Sequence, residues 1–408
     1  MNNLNYKVWL GSVSLLSIAA FGTWFYQINQ GLIVTGMDNI TSWGLYIISF
    51  MFLVGLSAGG LIVSSSATVF NIPSFKKVSK PAILLSTVCI ILAALLILVD
   101  LGSPQRFLNL LIYGRIGSPL IWDVIVITIY LSISLIYLFL ITRPKPNEKL
   151  LKIMSFVALP VAVLVHSVTA WIFGLQIAQP TWNSALMAPL FVASALDSGL
   201  ALLLVVLIAM NKFTKFKTDK GLIATLGGLL AVFISVDIFM VLSETLTMSF
   251  PRQAEEMEYV HLLLTGRLAP FFWGQLLLGG LIPFLILAFK RNRQRSGLIV
   301  LASIFVVIGV FFKRVWLLLS SLSLPLIHGA PGVTLGRWED PSLSGVGPDI
   351  WAMIGNYSPT WAEITIFVGM LGFGGLLFTL GYNYLIAGHR HQKTKDSKQP
   401  IDEGLNVS

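Results

Sequence analysis

Ten runs of roughly twenty apolar residues constrain this chain more than anything else in it. They fall at about 7–28, 43–70, 81–101, 121–142, 151–175, 185–211, 221–246, 269–290, 296–319 and 362–386. A run of that length crosses the hydrocarbon core of a bilayer as a helix, which satisfies its own backbone hydrogen bonds. No segment alternates strictly between apolar and polar residues, as a membrane barrel would. Charged residues make up 11% of the chain, against about 25% in a soluble domain. The expected fold is therefore all-α: a polytopic membrane protein with ten transmembrane helices. The first run has little before it and no small-residue cleavage site after it, so it reads as an anchor and not a signal peptide.

The formal net charge of +9 invites a nucleic-acid reading, which its distribution excludes. Lys and Arg crowd the connections at 76–80, 143–152, 212–220 and 290–295 and the tail at 390–398. The alternate connections hold only Arg106, Arg115, Arg252, Arg267 and Arg337. Such a bias is the positive-inside rule, and it places both termini in the cytoplasm of a cell (inner) membrane. The outer connections Gly102–Leu120, Thr247–Leu268 and Ser320–Trp361 are then the long ones, and long ordered loops usually bind something.

The stretch Thr41–Ser66 opens with Trp43 and Tyr46, rings suited to the bilayer interface. It continues with Gly55 and Gly59, then Gly60 and Ser64, each pair four residues apart on one helix face where a neighbouring backbone can approach. Trp43, Phe52, Gly60 and Leu61 recur 139 residues later as Trp182, Phe191, Gly199 and Leu200. Spans two to five and six to nine would form two four-helix bundles related as a parallel repeat. The expected organisation is a first flanking helix and outer loop (1–42), a first bundle (43–180), a second bundle (181–320), an outer loop with the last helix (321–386) and a polar cytoplasmic tail (387–408).

Ionisable side chains within a membrane are costly and are functional hypotheses by default. Asp100 closes the third span at its outer end, and Asp123 opens the fourth. His166 lies nine residues from the outer end of the fifth, about 13 Å down at ~1.5 Å per residue. Asp237 and Glu244, seven apart on one helix face, occupy the outer half of the seventh span. Lys313 and Arg314 lie in the outer part of the ninth, and Glu363 opens the tenth. Only Asp197 approaches the midplane. The bland alternatives are hydration or helix capping for Asp100, Asp123 and Glu363, which is the favoured reading for Asp123, and neutralisation of Asp237 or Glu244 by Lys313 and Arg314. For His166 and Asp197, deep in their helices near Pro160 and Pro189, function is the stronger reading.

Cofactor chemistry narrows next. A transmembrane haem with two histidine ligands needs histidines in pairs, and only His166 lies clearly within a span; His261, His328, His389 and His391 fall in loops or the tail. The single Cys89 can form no internal disulfide and cannot hold an iron–sulfur cluster, which needs about four thiolates. The expectation is no haem, no iron–sulfur cluster and no metal site in this chain.

Three motifs carry a family likeness. Trp43-Gly44-Leu45-Tyr46 leading to Gly55-Leu56-Ser57-Ala58-Gly59-Gly60, with Asp100-Leu101-Gly102-Ser103-Pro104-Gln105-Arg106-Phe107, resembles the NrfD/polysulfide-reductase membrane-subunit family. His166-Ser167-Val168-Thr169-Ala170-Trp171 is similar to its fifth-span motif. Tyr357-Ser358-Pro359-Thr360-Trp361-Ala362-Glu363 resembles the lead into the last span of its ten-helix members. The resemblance runs from about residue 30 to 386. It implies a haem-free, quinone-reactive anchor subunit of a respiratory oxidoreductase complex, with menaquinone ahead of ubiquinone as substrate. It also implies partners outside the membrane, namely a four-cluster iron–sulfur subunit and a catalytic subunit beyond it.

On that reading the quinone pocket lies in the first bundle, under Trp43 and Tyr46, with His166 as proton acceptor and Asp100 as relay. Asp197, Asp237, Glu244, Arg314 and Glu363 are candidates for a proton path. The rival from another class is a secondary transporter with a buried Asp/His site, since bent spans and buried charges also suit a permease. Transporters place that site near the midplane, where only Asp197 is expected. A third reading is a purely structural anchor.

Overall fold

The computed structural model describes residues 3–38, 41–179, 181–250, 254–323 and 356–387. Ten helices in it are long and apolar enough to cross a membrane: Leu4–Gln30, Leu45–Val69, Ser79–Asp100, Pro119–Thr142, Glu148–Gly174, Met187–Phe213, Lys220–Ser249, Ala269–Ala288, Ser296–Leu322 and Trp361–Ala387. They are numbered here as spans one to ten. Each expected run is a span, and the chain is a multi-pass, all-helical membrane protein. The expected loop Ser320–Trp361, including His328, falls largely outside the described residues, as do His389, His391 and the tail from 388 onward.

Local sequence sets the helix boundaries. Pro119 starts span four, where its missing N–H costs nothing. Asn147 caps span five by accepting from the Leu150 amide at 3.1 Å. Thr360 and Glu363 form a reciprocal capping box at the start of span ten. Gly31 and Gly102 take left-handed φ values of 80° and 63° just beyond spans one and three, and so turn the chain. Span eight passes through a π-helical stretch, Gly274–Leu281, a bulge type often found at functional sites.

Spans two, three, four and five pack in a ring, and so do six, seven, eight and nine. Span two is the hub: it also packs on spans six and nine of the second ring, and nearly all of it is buried. Span ten lies against span three and pairs with span one. Small residues let the rings meet. A methyl carbon at Gly59 would lie 2.1 Å from the Gly199 carbonyl carbon, so spans two and six touch backbone to backbone. Trp43 and Trp182 stack at 6.1 Å between ring centroids, with Phe173 packed edge-on to both.

The connections after spans two, four, six and eight carry the clustered Lys and Arg, and define a basic end of the molecule. The opposite, far end holds Trp43, Asp100, Asp123, Trp182 and Glu363.

Candidate functional site

Two buried polar groupings at or toward the far end contain most of the expected site residues. The first forms where spans one, two, three and ten converge. Gln27, 1% exposed near the end of span one, donates through Nε2 to the Val99 carbonyl at 2.9 Å. Its Oε1 accepts from the Tyr46 hydroxyl at 2.5 Å. Tyr46 is fully buried and lies within electrostatic reach of both Asp100 and Glu363. Asp100 follows Val99 directly, and its Oδ1 is buried with no hydrogen-bond partner.

Glu363 is arranged differently. Its Oε2 accepts from the Gly36 amide at 2.8 Å and the Thr360 amide at 3.0 Å, and its Oε1 accepts from the Tyr357 hydroxyl at 2.5 Å. The Tyr357 hydroxyl in turn accepts from the Leu45 amide at 2.7 Å. Burial, then the adjacent Glu363 carboxylate, pushes the Tyr357 phenol up, so it remains a donor across the physiological range. Glu363 is thus a fixed knot joining the chain at Gly36, span two and span ten. Asp100 beside it has an oxygen to spare. Two carboxylates in one neighbourhood with such unequal bonding suit unequal chemical roles.

The second grouping lies within the second ring, on spans six to nine. Lys313 donates to Asp237 Oδ1 at 2.5 Å, with side-chain exposures of 0% and 5%. Gln275, from the π-helical stretch, donates to Asp237 Oδ2 at 3.4 Å. Arg314 donates to Ser194 Oγ at 2.7 Å and rests 4.0 Å over the Phe191 ring, while its Nε and a second terminal nitrogen bond no protein atom. Asp197 lies within electrostatic reach of Asp237, Lys313 and Arg314, and its Oδ1 is unpartnered. Glu244 accepts from Ser184 and lines a small cavity with Tyr259, Thr181 and Trp316.

The structure brings Tyr46 and Asp100 into one site and leaves Trp43 and His166 out of it. Trp43 belongs to the aromatic seam between the rings. His166 Nε2 faces the Val54 carbonyl at 3.0 Å and Nδ1 the Ala162 carbonyl at 2.5 Å. Val54 is eight residues below Tyr46 on span two, about 12 Å deeper. Gln27 and Tyr357 did not figure among the sequence candidates. Neither carries a charge, and their partners are distant in the chain; only Tyr357's place in the last-span motif drew notice to it. Asp123 differs from the hydrated cap expected of it: it is 3% exposed and accepts from Thr169 Oγ1 at 2.6 Å.

Among the described residues no group of three or more His, Cys, Asp or Glu side chains could hold a metal ion. The fold and sites define an integral membrane protein whose polar chemistry is built from carboxylates, phenols and amides. A family model described as polysulphide reductase, NrfD, matches residues 33–325, and the chain belongs to that family. It is 37% identical over 398 residues to a protein of Halobacterium salinarum provisionally named as a dimethyl sulfoxide reductase membrane subunit, covering 92% of this chain and 90% of the relative. It is 30% identical over 370 residues to the Hdr-like menaquinol oxidoreductase integral membrane subunit of Archaeoglobus fulgidus, covering 90% and 91%. It is 26% identical over 414 residues to a selenate reductase subunit of Mesobacillus selenatarsenatis, covering 92% of each.

Proposed function

We propose that this chain is the quinone-reactive membrane anchor of a respiratory oxidoreductase complex. It exchanges electrons between menaquinone and an extracytoplasmic iron–sulfur subunit docked on the far end, with both termini in the cytoplasm. The menaquinol oxidoreductase named among its relatives supports the choice of quinone. The observation that carries the reading is the unpartnered, buried Asp100 oxygen beside the Gln27–Tyr46 pair.

Quinol oxidation must remove two protons with two electrons, and a quinone ring must be held by polar groups at its oxygens. Asp100 supplies an acceptor for the first proton, and its place at the end of span three gives a short route to the far-side water. Tyr46 and Gln27 supply a donor and an acceptor that can turn toward a ring oxygen. Glu363, its oxygens taken up by the Gly36 and Thr360 amides and the Tyr357 hydroxyl, stands close by and holds the surrounding segments in place. His166, with both ring nitrogens against carbonyls, acts deeper and only when one of those bonds opens. Asp197, Asp237, Glu244 and Arg314 form the remaining polar route, through the second ring.

The test is quinol oxidation by the complex purified through this chain, with a soluble reduced naphthoquinone as donor and ferricyanide as acceptor. Asp100→Asn should lower the rate by about a hundredfold, the low end of what a positioned base contributes, while the complex stays assembled. An assembled Asp100→Asn complex turning over at the wild-type rate would reject the site.

A further inference from the structure

Span eight is the shortest of the ten and span seven the longest, at 20 and 30 residues. At ~1.5 Å per residue the first is about 30 Å, just the depth of a hydrocarbon core, and the second about 45 Å. Part of the excess falls at the basic end. Arg293, five residues beyond span eight, packs on Gly227 and Gly228 of span seven. Gly228 is eight residues from the start of that helix, so span seven overhangs its neighbour by about 12 Å, in the layer of the lipid headgroups.

The connection between spans eight and nine aims Arg293 into this recess. Asn292 Nδ2 donates to the Ile286 carbonyl at 3.0 Å, and the Asn292 and Arg293 amides donate to the Phe289 carbonyl at 3.0 and 3.4 Å. The Arg293 Cγ and the tips of Leu287 and Ile299 converge on Gly227, each 3.8 Å from where a methyl carbon would stand. Beyond them the guanidinium lies on Gly228, where a methyl carbon would collide with Nη1. Gly228 shares a helix face with Thr225, Val232 and Val236, all exposed and so turned toward lipid. Leu285 and Phe289, on span eight beside it, are exposed as well.

The guanidinium lacks a counter-ion there. Its Nε is buried without a hydrogen-bond partner, and no carboxylate among the described residues pairs with it. The connection 289–295 holds no acidic residue. Asp219, at the start of span seven, is nine residues before Gly228, or about 13 Å along the helix. Lys290, Arg291 and Arg295 are exposed, and the positive-inside bias accounts for them. It does not account for an arginine whose stem is clamped between helices. A snorkelling side chain keeps its polar head in water, whereas the buried Nε of Arg293 needs an acceptor brought to it.

We propose that this recess binds an anionic phospholipid. Its phosphate accepts from Arg293 Nε and a terminal nitrogen, the two-pronged contact that a guanidinium favours. Its acyl chains run down the exposed faces of spans seven and eight. The lipid supplies the missing negative charge and braces the short span that carries the π-helical stretch and Gln275. The exposed cations nearby add only screened attraction. This site is at the opposite end from the quinone reading and does not depend on it.

The experiment is thermal unfolding of the full-length protein, delipidated in detergent and titrated with dioleoylphosphatidylglycerol, dioleoylphosphatidylcholine or inorganic phosphate. Phosphatidylglycerol should raise the unfolding temperature saturably. Phosphatidylcholine, whose choline offsets the phosphate charge, should need on the order of tenfold more, and inorganic phosphate should have no effect. Arg293→Gln should weaken the phosphatidylglycerol response on the order of tenfold, the scale of one charge-assisted contact, while Arg291→Gln leaves it nearly unchanged. Gly228→Ala, which displaces the guanidinium, should weaken it too, and so reads the site even where Arg293→Gln fails to fold. Equal response to the two lipids overturns the proposal, and so does stabilisation by phosphate alone. It is equally overturned if Arg293→Gln responds as wild type does, or if Arg291→Gln is as harmful. None of these outcomes bears on quinol oxidation.

Discussion

Replacing Lys313 by Met should be among the most damaging single changes in the chain. The Lys313 ammonium and the Asp237 carboxylate meet at 2.5 Å with almost no exposure. At an effective dielectric constant of ~20 their mutual attraction is roughly 7 kcal/mol, most of which offsets the cost of burying both charges. Removing one partner leaves that cost uncompensated, and buried pairs broken in this way lose about 3–5 kcal/mol. An ordinary hydrogen bond between membrane helices averages only about 0.6 kcal/mol, so the effect should stand clear of that background. Neighbouring groups give only partial relief. Gln275 reaches the other Asp237 oxygen at a long 3.4 Å, and Arg314, within electrostatic reach of Asp237, makes its hydrogen bond to Ser194 instead. The assay is thermal unfolding of the detergent-purified protein, with recovery from the membrane as a second readout. Lys313→Met should fall sharply in both, and Lys313→Met/Asp237→Leu should regain most of the loss. A single variant as stable as wild type would refute the reasoning, as would a double variant no better than the single.

Two further outcomes follow from the packing and the charge pattern. Gly59→Ala puts a methyl 2.1 Å from the Gly199 backbone, which no rotamer change can relieve; spans two and six must separate, and the unfolding temperature should drop by the equivalent of about 1–3 kcal/mol. A reporter active only in the cytoplasm should work when fused after Ser408, because ten spans return the chain to its starting side and the basic connections set that side.

The spans were legible because apolar length is a local property, and each run is continuous in sequence. Trp43 and Trp182, matched in the sequence by their similar surroundings, also meet in space, where their rings stack. The site was readable only in part. Asp100 and Glu363 stood out as charges in or beside apolar runs, but their unequal roles depend on contacts the chain makes over long separations. Glu363 reaches the Gly36 amide across 327 residues, and Tyr46 is tied to Gln27 on another helix. Searching for ionisable groups also passes over Gln27, since an amide in a membrane helix looks tolerable until its partners are known. His166 shows the reverse: its depth was evident, whereas the two carbonyls facing its ring were not.

The most direct test of the quinone site is photolabelling of native membranes with an azido-naphthoquinone, followed by peptide mapping of this chain. The account predicts that label falls on the segments around Gln27, Tyr46 and Asp100, and that excess menaquinone analogue competes it away. Competable label confined to spans six to nine would contradict the account.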